Sequence, residues 1–279
     1  IKALLNGCRH RGSRVCLEDK GNAKAFTCPY HAWSFDLDGK LIAARYMNED
    51  FDKSENGLHR AHVELAGGLI FISLAEHPLS LSQMQDDLAD VFDQFGFDNM
   101  KLAIQKTYPI NANWKLANEN YQECYHCAPS HKDFAKIHAM ALNPAKFDQQ
   151  KETFLKTSES NIRTKPSSFY FDLAKDGQEG YQYDRNPLIK GMMSGSKGGK
   201  PVAPLLGKLE KYECAASEFM VGPVTFFLIY DDHMFGYRFL PTSLDECICD
   251  LFWFVRGDAV EGKDYDLETL TWLWHETIL

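Results

Sequence analysis

The sequence predicts an α+β fold: a β-rich unit over residues 1–75, then a larger unit over residues 76–279 in which helices accompany an antiparallel sheet. Three observations predict it. Short apolar runs bounded by turn residues fill the first unit. An apolar stripe at helical spacing follows over residues 80–95. Three strand candidates joined by short turns then occupy residues 219–230, 234–240 and 247–256, a pattern that favours antiparallel pairing. The 279 residues suffice for one large domain or two ordinary ones, and 44% hydrophobic with 25% charged residues describes a globular chain.

In chain order, residues 2–6 read as the end of a strand. Residues 34–44 read as strand, turn at Asp38-Gly39, strand. Residues 67–73 (GGLIFIS) read as a buried strand that closes the first domain. Leu81, Met84, Leu88, Val91, Phe92 and Phe95 form the helical stripe and pack into a core. A strand over 101–113 leads into a helix over 115–127, which has no Pro or Gly and can bury Leu116, Tyr121 and Cys124. Residues 132–165 read as loops with short helical pieces. Residues 190–200 (KGMMSGSKGGK) read as a surface loop, or as a mobile segment covering a pocket. A turn is expected at Asp231-Asp232, and Asp266 caps a last helix with Leu267, Leu270 and Trp274 along one side.

The formal net charge of −9 and a pI near 5.6 argue against a nucleic-acid surface, which needs a basic footprint. No run of about 18 apolar residues reads as a membrane span. The opening IKALLNGCRHRG has neither the apolar core nor the cleavage site of a signal peptide. The eight cysteines are therefore expected in a reducing compartment, the cytoplasm, with metal ligation favoured over disulfides.

Two constellations carry chemistry. Cys8 and His10 are separated by one residue, Cys28 and His31 by two. Two thiolates can hold one iron of a [2Fe-2S] cluster and two neutral imidazoles the other, which raises the reduction potential. Cys2His2 is also a zinc set, but a finger pairs its cysteines together and its histidines together on a helix. Here each loop supplies one of each, which favours the cluster. Downstream, Glu123, His126 and His131 form a carboxylate-x2-His-x4-His pattern. On a helix Glu123 and His126 would share a face. Pro129 would disfavour helix at Ala128 and let His131 swing back toward the same metal. Two imidazoles and a carboxylate with open positions make the triad that non-haem iron(II) uses with dioxygen. Two histidines five apart can equally be plain core or surface residues.

CRHRG followed by CPYHAW resembles the Rieske motif, and NWKLANENYQECYHC-APSH resembles the iron motif of the Rieske non-haem iron oxygenases, catalytic (alpha) subunit. GYRFLPTS and DAVEGKDYDLETLTWLW extend the resemblance over essentially the whole chain. It implies an all-β Rieske [2Fe-2S] domain followed by a helix-grip catalytic domain, a curved antiparallel sheet around a long helix. Cys8, His10, Cys28 and His31 would hold the cluster, and His126 and His131 a mononuclear non-haem Fe(II). The third iron ligand in the family is an Asp on the C-terminal helix. Asp258, Asp264 and Asp266 come too early to match it, so it is expected beyond Leu279, and both natural ends are expected to be lacking.

Glu123 stands where most members have Asp. The resemblance makes it a bridge between His126 and the cluster's His31 of a neighbouring subunit in a head-to-tail trimer. Glu at this position is typical of the branch that oxidises carnitine, glycine betaine, choline and stachydrine. The expected reaction is hydroxylation or N-demethylation of a small quaternary amine by O2, with electrons from NAD(P)H through a separate reductase. Ring hydroxylation or demethylation of an aromatic acid is the alternative. A cationic substrate would want aromatic faces, and Phe226, Phe227, Tyr230, Phe235, Tyr237, Phe239 and Trp253 lie on the expected sheet. The match makes Cys124 and Cys127 residues that pack around the iron motif. A pure electron carrier or a zinc-stabilised binding module would leave the second motif unexplained.

Overall fold

A computed structural model describes residues 1–139, 142–157 and 176–278. The chain divides into two units, Ile1–Pro78 and Leu79–Leu279.

The first unit contains strands β1 (Ala3–Leu4), β2 (Phe26–Thr27), β3 (Ser34–Phe35), β4 (Leu41–Ala43), β5 (Arg60–Ala66) and β6 (Leu69–Ser73). They form two three-stranded sheets, ordered β1-β5-β6 and β2-β3-β4. The β3–β4 turn falls at Asp38-Gly39 because Asp36 accepts from the backbone N–H of Asp38 and of Lys40, both at 2.8 Å, and Gly39 takes the left-handed φ of 78°. Trp33, Phe35, Leu41 and Leu58 form the core with Cys8 and Cys28. β6 is not the buried strand expected: Ile70 and Ile72 are 51% and 62% exposed, since the strand alternates and only one face packs.

The second unit is built on a six-stranded antiparallel sheet of β7 (Met100–Ile110), β8 (Tyr181–Pro187), β9 (Ala215–Val221), β10 (Thr225–Ile229), β11 (Met234–Pro241) and β12 (Cys247–Arg256), in the order β7-β12-β11-β10-β9-β8. Helices α1 (Ser82–Phe95), α2 (Trp114–Gln122), α3 (Cys127–Ser130), α4 (Lys132–Ala135), α5 (Pro144–Thr157) and α6 (Leu267–Ile278) accompany it. Sheet and helices form the helix-grip arrangement. Met84, Leu88, Val91 and Phe95 of α1 are buried, as their spacing requires. Asp266 accepts from the Thr269 N–H at 3.0 Å and starts α6, whose Trp274 stacks on Phe235 with ring centroids 4.5 Å apart.

Further local expectations are corrected. Residues 219–230 are not one strand: Gly222, with φ 59°, turns the chain between β9 and β10, and β9 begins four residues earlier, at Ala215. The alternating YQYDRNP of β8 escaped notice because polar residues hold half its positions. Residues 144–157 form a full helix rather than short pieces, while 140–141 and 158–165 of that stretch lie outside the described residues.

The loop over 190–200 is neither a plain surface segment nor a mobile cover. Ser194 donates to Asp232 at 2.7 Å, and the other oxygen of Asp232 accepts from the Val202 N–H at 2.8 Å. A Cβ on Gly195 would stand 2.0 Å from the Tyr230 ring, so only glycine lets the loop lie there. The expected turn at Asp231-Asp232 is therefore an anchor: Asp231, fully buried, also pairs with the buried Arg185 at 2.5 Å. A buried guanidinium without such a partner would cost several kcal/mol.

Candidate active site

In the first unit, two loops of matching backbone design carry the cysteine and histidine motifs. Cys8 donates its N–H to Ser13 O and its carbonyl accepts from Gly12, both at 2.8 Å. Cys28 donates to Trp33 O at 2.8 Å and accepts from Ala32 at 3.0 Å. Each loop thus closes over four and five residues and turns through a left-handed residue, Gly12 at φ 73° and Ala32 at φ 58°. Asn6 ties down the first loop, accepting from Val15 at 3.0 Å and Cys16 at 2.7 Å.

The loops bring like donors together. The buried thiols of Cys8 and Cys28 contact one another. The His10 and His31 rings lie 4.6 Å apart, and His10 stacks on Trp33 at 4.9 Å. Burial pushes the Cys8 thiol up. Burial acts the same way on Cys28, but backbone N–H groups of Tyr30 and His31 outweigh it and hold that thiol below its ordinary value. His10 Nδ1 is buried with no hydrogen-bond partner among the described residues, and a metal is the partner that would satisfy it. This two-plus-two division is what a Rieske cluster takes.

In the second unit, Asn113 caps α2 by accepting from Lys115 at 2.9 Å, and the helix then stops short of the motif. It ends at Gln122, and Glu123 has extended φ, ψ of −102° and 132°. Glu123 and His126 therefore do not meet on a helix face, as the spacing suggested. Glu123 folds over its own following turn, one oxygen accepting from Tyr125 N–H at 3.0 Å and the other meeting His126 Nδ1 at 2.5 Å. That hydrogen bond is the main reason its carboxyl lies below the usual range. Leu116, expected inside, is 61% exposed, while Tyr121 packs 4.5 Å from Phe226 and 4.6 Å from Tyr237. Ala128 and Pro129 are inside α3, with Pro129 in its first turn, where a missing N–H costs nothing. The chain turns instead at His131, with φ −113° and ψ 66°.

The result places His126 Nε2 and His131 Nε2 3.1 Å apart. Two nitrogens at about 2.1 Å from one metal and at a right angle would be about 3.0 Å apart, so this pair fits adjacent positions on one ion. With the proton of His126 on Nδ1, facing Glu123, its Nε2 lone pair faces inward. Burial and the neighbouring His126 hold His131 below its ordinary pKa, which favours the neutral form a metal needs. Asp258, Asp264 and Asp266 are occupied elsewhere, binding Arg256, the Val260 N–H and the Thr269 N–H. Cys124 and Cys127 correct the expectation of free thiols: they are joined as a disulfide on either side of His126.

Both histidines open into a cavity of about 760 Å³. Of the aromatic residues proposed for it, Phe226, Phe227, Tyr237 and Phe239 line it; Tyr230, Phe235 and Trp253 are fully buried in the adjoining core. Tyr121, read from the sequence only as a buried helix residue, and Glu218, not singled out at all, line it too. Glu218 precedes the expected start of its strand, so its alternation with Ala216 and Met220 went unread. Its carboxyl is pushed up to about 7, first by burial and then by Asp184, directly across the strand pair.

A family model described as "Ring hydroxylating alpha subunit (catalytic domain)" matches residues 97–278, and a "Rieske [2Fe-2S] domain" model matches residues 1–64. The glycine betaine monooxygenase oxygenase subunit of Pseudomonas aeruginosa (strain UCBPP-PA14) is 33% identical over 280 residues, 99% of this chain and 65% of the relative. The carnitine monooxygenase oxygenase subunit of Acinetobacter pittii is 39% identical over 140 residues, 48% of this chain and 38% of the relative. The crystal structure of the quaternary ammonium Rieske monooxygenase CntA with L-carnitine shares the fold at a TM-score of 0.63 and 20% identity, over 99% of this chain and 63% of that one. The chain thus spans less than two thirds of the length of these relatives.

Proposed function

The chain belongs to the ring-hydroxylating alpha subunits with a Rieske [2Fe-2S] domain, and on that premise we propose that it is the oxygenase component of a multicomponent monooxygenase acting on a small quaternary ammonium compound. The observation that carries this reading is the shared cavity: two imidazole nitrogens 3.1 Å apart open onto aromatic faces and one carboxylate. Aromatic faces attract a desolvated cation by about 0.5 to 2 kcal/mol each. Among the described lining residues there is no Lys or Arg to oppose one. The names of the relatives point to the same substrate class.

In this reading Cys8, His10, Cys28 and His31 hold the [2Fe-2S] cluster, and His126 and His131 hold iron. When bound, the cluster supplies single electrons and the iron supplies the centre at which O2 reacts. The chain's own residues set the conditions. Glu123 keeps the His126 proton on Nδ1 and leaves Nε2 free to bind. The aromatic wall excludes water and turns the substrate's cationic head inward. The half-exposed carboxylate of Glu123 is then placed to meet His31 of a neighbouring copy in a homotrimer, so that electrons cross between subunits. A reductase using NAD(P)H charges the cluster, and the assembly works in the cytoplasm. No helix among the described residues is long and apolar enough to cross a membrane.

The test is single turnover: the reduced, iron-loaded protein meets O2 with a panel of quaternary amines and, separately, aromatic acids, and products are weighed by mass spectrometry. Hydroxylation or loss of a methyl or amine group from one quaternary amine supports the proposal. Product from the aromatic panel alone keeps the oxygenase and discards the substrate class.

A further inference from the structure

Glu218 is the one ionisable carboxylate among the described residues that line the cavity, and no Lys or Arg joins it there. Its surroundings leave its charge only partly compensated. On β8, Asp184 lies directly opposite in register, and Lys151 of α5, which pairs with Asp184 at 2.5 Å, favours the Glu218 carboxylate less than burial and Asp184 oppose it. Asn186, also on β8, hydrogen-bonds Glu218 without neutralising it. On the other side, Leu228 of β10 faces it across the strand pair and offers no charge. Tyr121 of α2 and Tyr230, the residue after β10, also feel its field, and both are neutral phenols.

A carboxylate in this position is costly to ionise, which is why its proton is retained up to about neutrality. A cation brought into the cavity would reverse that balance, since an opposite charge at close range favours the ionised form. The aromatic rings of Tyr121, Phe226 and Tyr237 offer π faces in the same cavity but no formal charge.

We propose that Glu218 is the counter-ion for the cationic head of the substrate, held in the cavity that the His126–His131 pair also lines. The inference rests on the quaternary ammonium reading above and adds the residue that demands the charge. The rings favour the cation over a neutral isostere only through their quadrupoles; Glu218 adds a formal charge that widens that discrimination. The ligand class it selects is a permanent monocation of trimethylammonium size, and binding it releases the Glu218 proton.

The probes are tetramethylammonium and a neutral alcohol that carries the corresponding tert-butyl head, 3,3-dimethyl-1-butanol, titrated calorimetrically into the holoprotein and into Glu218→Gln. Gln keeps the volume and the hydrogen bond to Asn186 and removes the charge. At pH 8 the variant is expected to bind tetramethylammonium roughly ten- to hundredfold more weakly and the alcohol within about twofold of wild type. Wild-type affinity for the cation is expected to fall as pH drops below about 7. Equal loss of both ligands would mean a packing role and would overturn the proposal, as would unchanged cation binding in the variant. A melting curve matching wild type separates either result from misfolding. If wild type oxidises quaternary amines and the variant binds them equally well, only the Glu218 assignment falls. If wild type neither binds tetramethylammonium nor oxidises any quaternary amine, the substrate reading falls with it.

Discussion

His126 Nε2 and His131 Nε2 stand 3.1 Å apart across the single helical turn Cys127–Ser130. A contact of this length is closed either by a proton on one ring or by a metal ion that takes both lone pairs. Removing either ring leaves one protein ligand from this motif. His126→Ala and His131→Ala are each expected to retain under about a tenth of the wild-type mononuclear iron by elemental analysis. The cluster's visible spectrum should be unchanged in both. A variant that kept its iron and its turnover would remove that residue from the ligand set.

Glu123 acts on the same pair through a proton. Glu123→Gln keeps the side chain's length but replaces a charged acceptor with a neutral amide, which can present its NH2 to His126 and turn the imidazole to the wrong tautomer. Turnover is expected to fall by about 10- to 100-fold or more. Rapid-freeze spectroscopy should show the reduced cluster persisting beside a filled iron site. Unchanged cluster oxidation at full metal content would reduce Glu123 to a local turn-former, satisfied by the Tyr125 N–H alone.

The Cys124–Cys127 disulfide encloses His126 in a very short loop. Chain entropy for so short a closure gives only about 2 kcal/mol, so the global fold does not depend on it. Its local effect is larger, because it fixes the turn on which Glu123 and His126 meet. Reduction, or the paired change Cys124→Ser with Cys127→Ser, is expected to lower the melting temperature by a few degrees and to speed iron loss to a chelator severalfold. Identical iron release before and after reduction would show that Glu123 alone holds the turn.

These residues also show where sequence reasoning reached and where it stopped. Residue type and spacing were enough to single out Cys8, His10, Cys28 and His31, and the two loops bring the thiols together and the imidazoles together. The same signal singled out His126 and His131, whose Nε2 atoms meet at 3.1 Å. The local conformation between them was not legible: the absence of Gly and Pro over 115–127 permits a helix but does not require one. There the Glu123 carboxylate offers Tyr125 and His126 a better bond than another helical turn does. Tyr121 and Glu218 were missed as cavity residues because a pocket is a property of which strands become neighbours, and Asp184 and Glu218 meet from 34 residues apart. The 190–200 loop read by composition as a surface loop or a mobile one, yet its Gly195 lies against the Tyr230 ring where no side chain would fit.

His138 gives a prediction with a definite sign. It is 2% exposed and stacked 4.0 Å from Phe134; its Nδ1 meets the Phe134 carbonyl at 3.0 Å and its Nε2 meets the Tyr230 hydroxyl at 2.8 Å. The carbonyl can only accept, so Nδ1 carries the proton and Nε2 accepts from Tyr230. A second proton on Nε2 would face that hydroxyl's hydrogen. Burial holds the imidazole down to about 4, the carbonyl contact opposing it in part. An unfolded histidine titrates near 6.5, so the unfolded chain binds the extra proton first as pH falls. The stabilisation is complete above 6.5 and is lost progressively down to about 4, by about 3 kcal/mol at most. Glu218, with its raised value, works in the opposite sense over part of this range, so the comparison must be between variants. The melting temperature of wild type is expected to drop more steeply than that of His138→Gln between pH 7 and 5, the two curves converging on the acid side. Parallel curves would mean that His138 accepts its proton in the folded state and that the Tyr230 contact reorganises to let it.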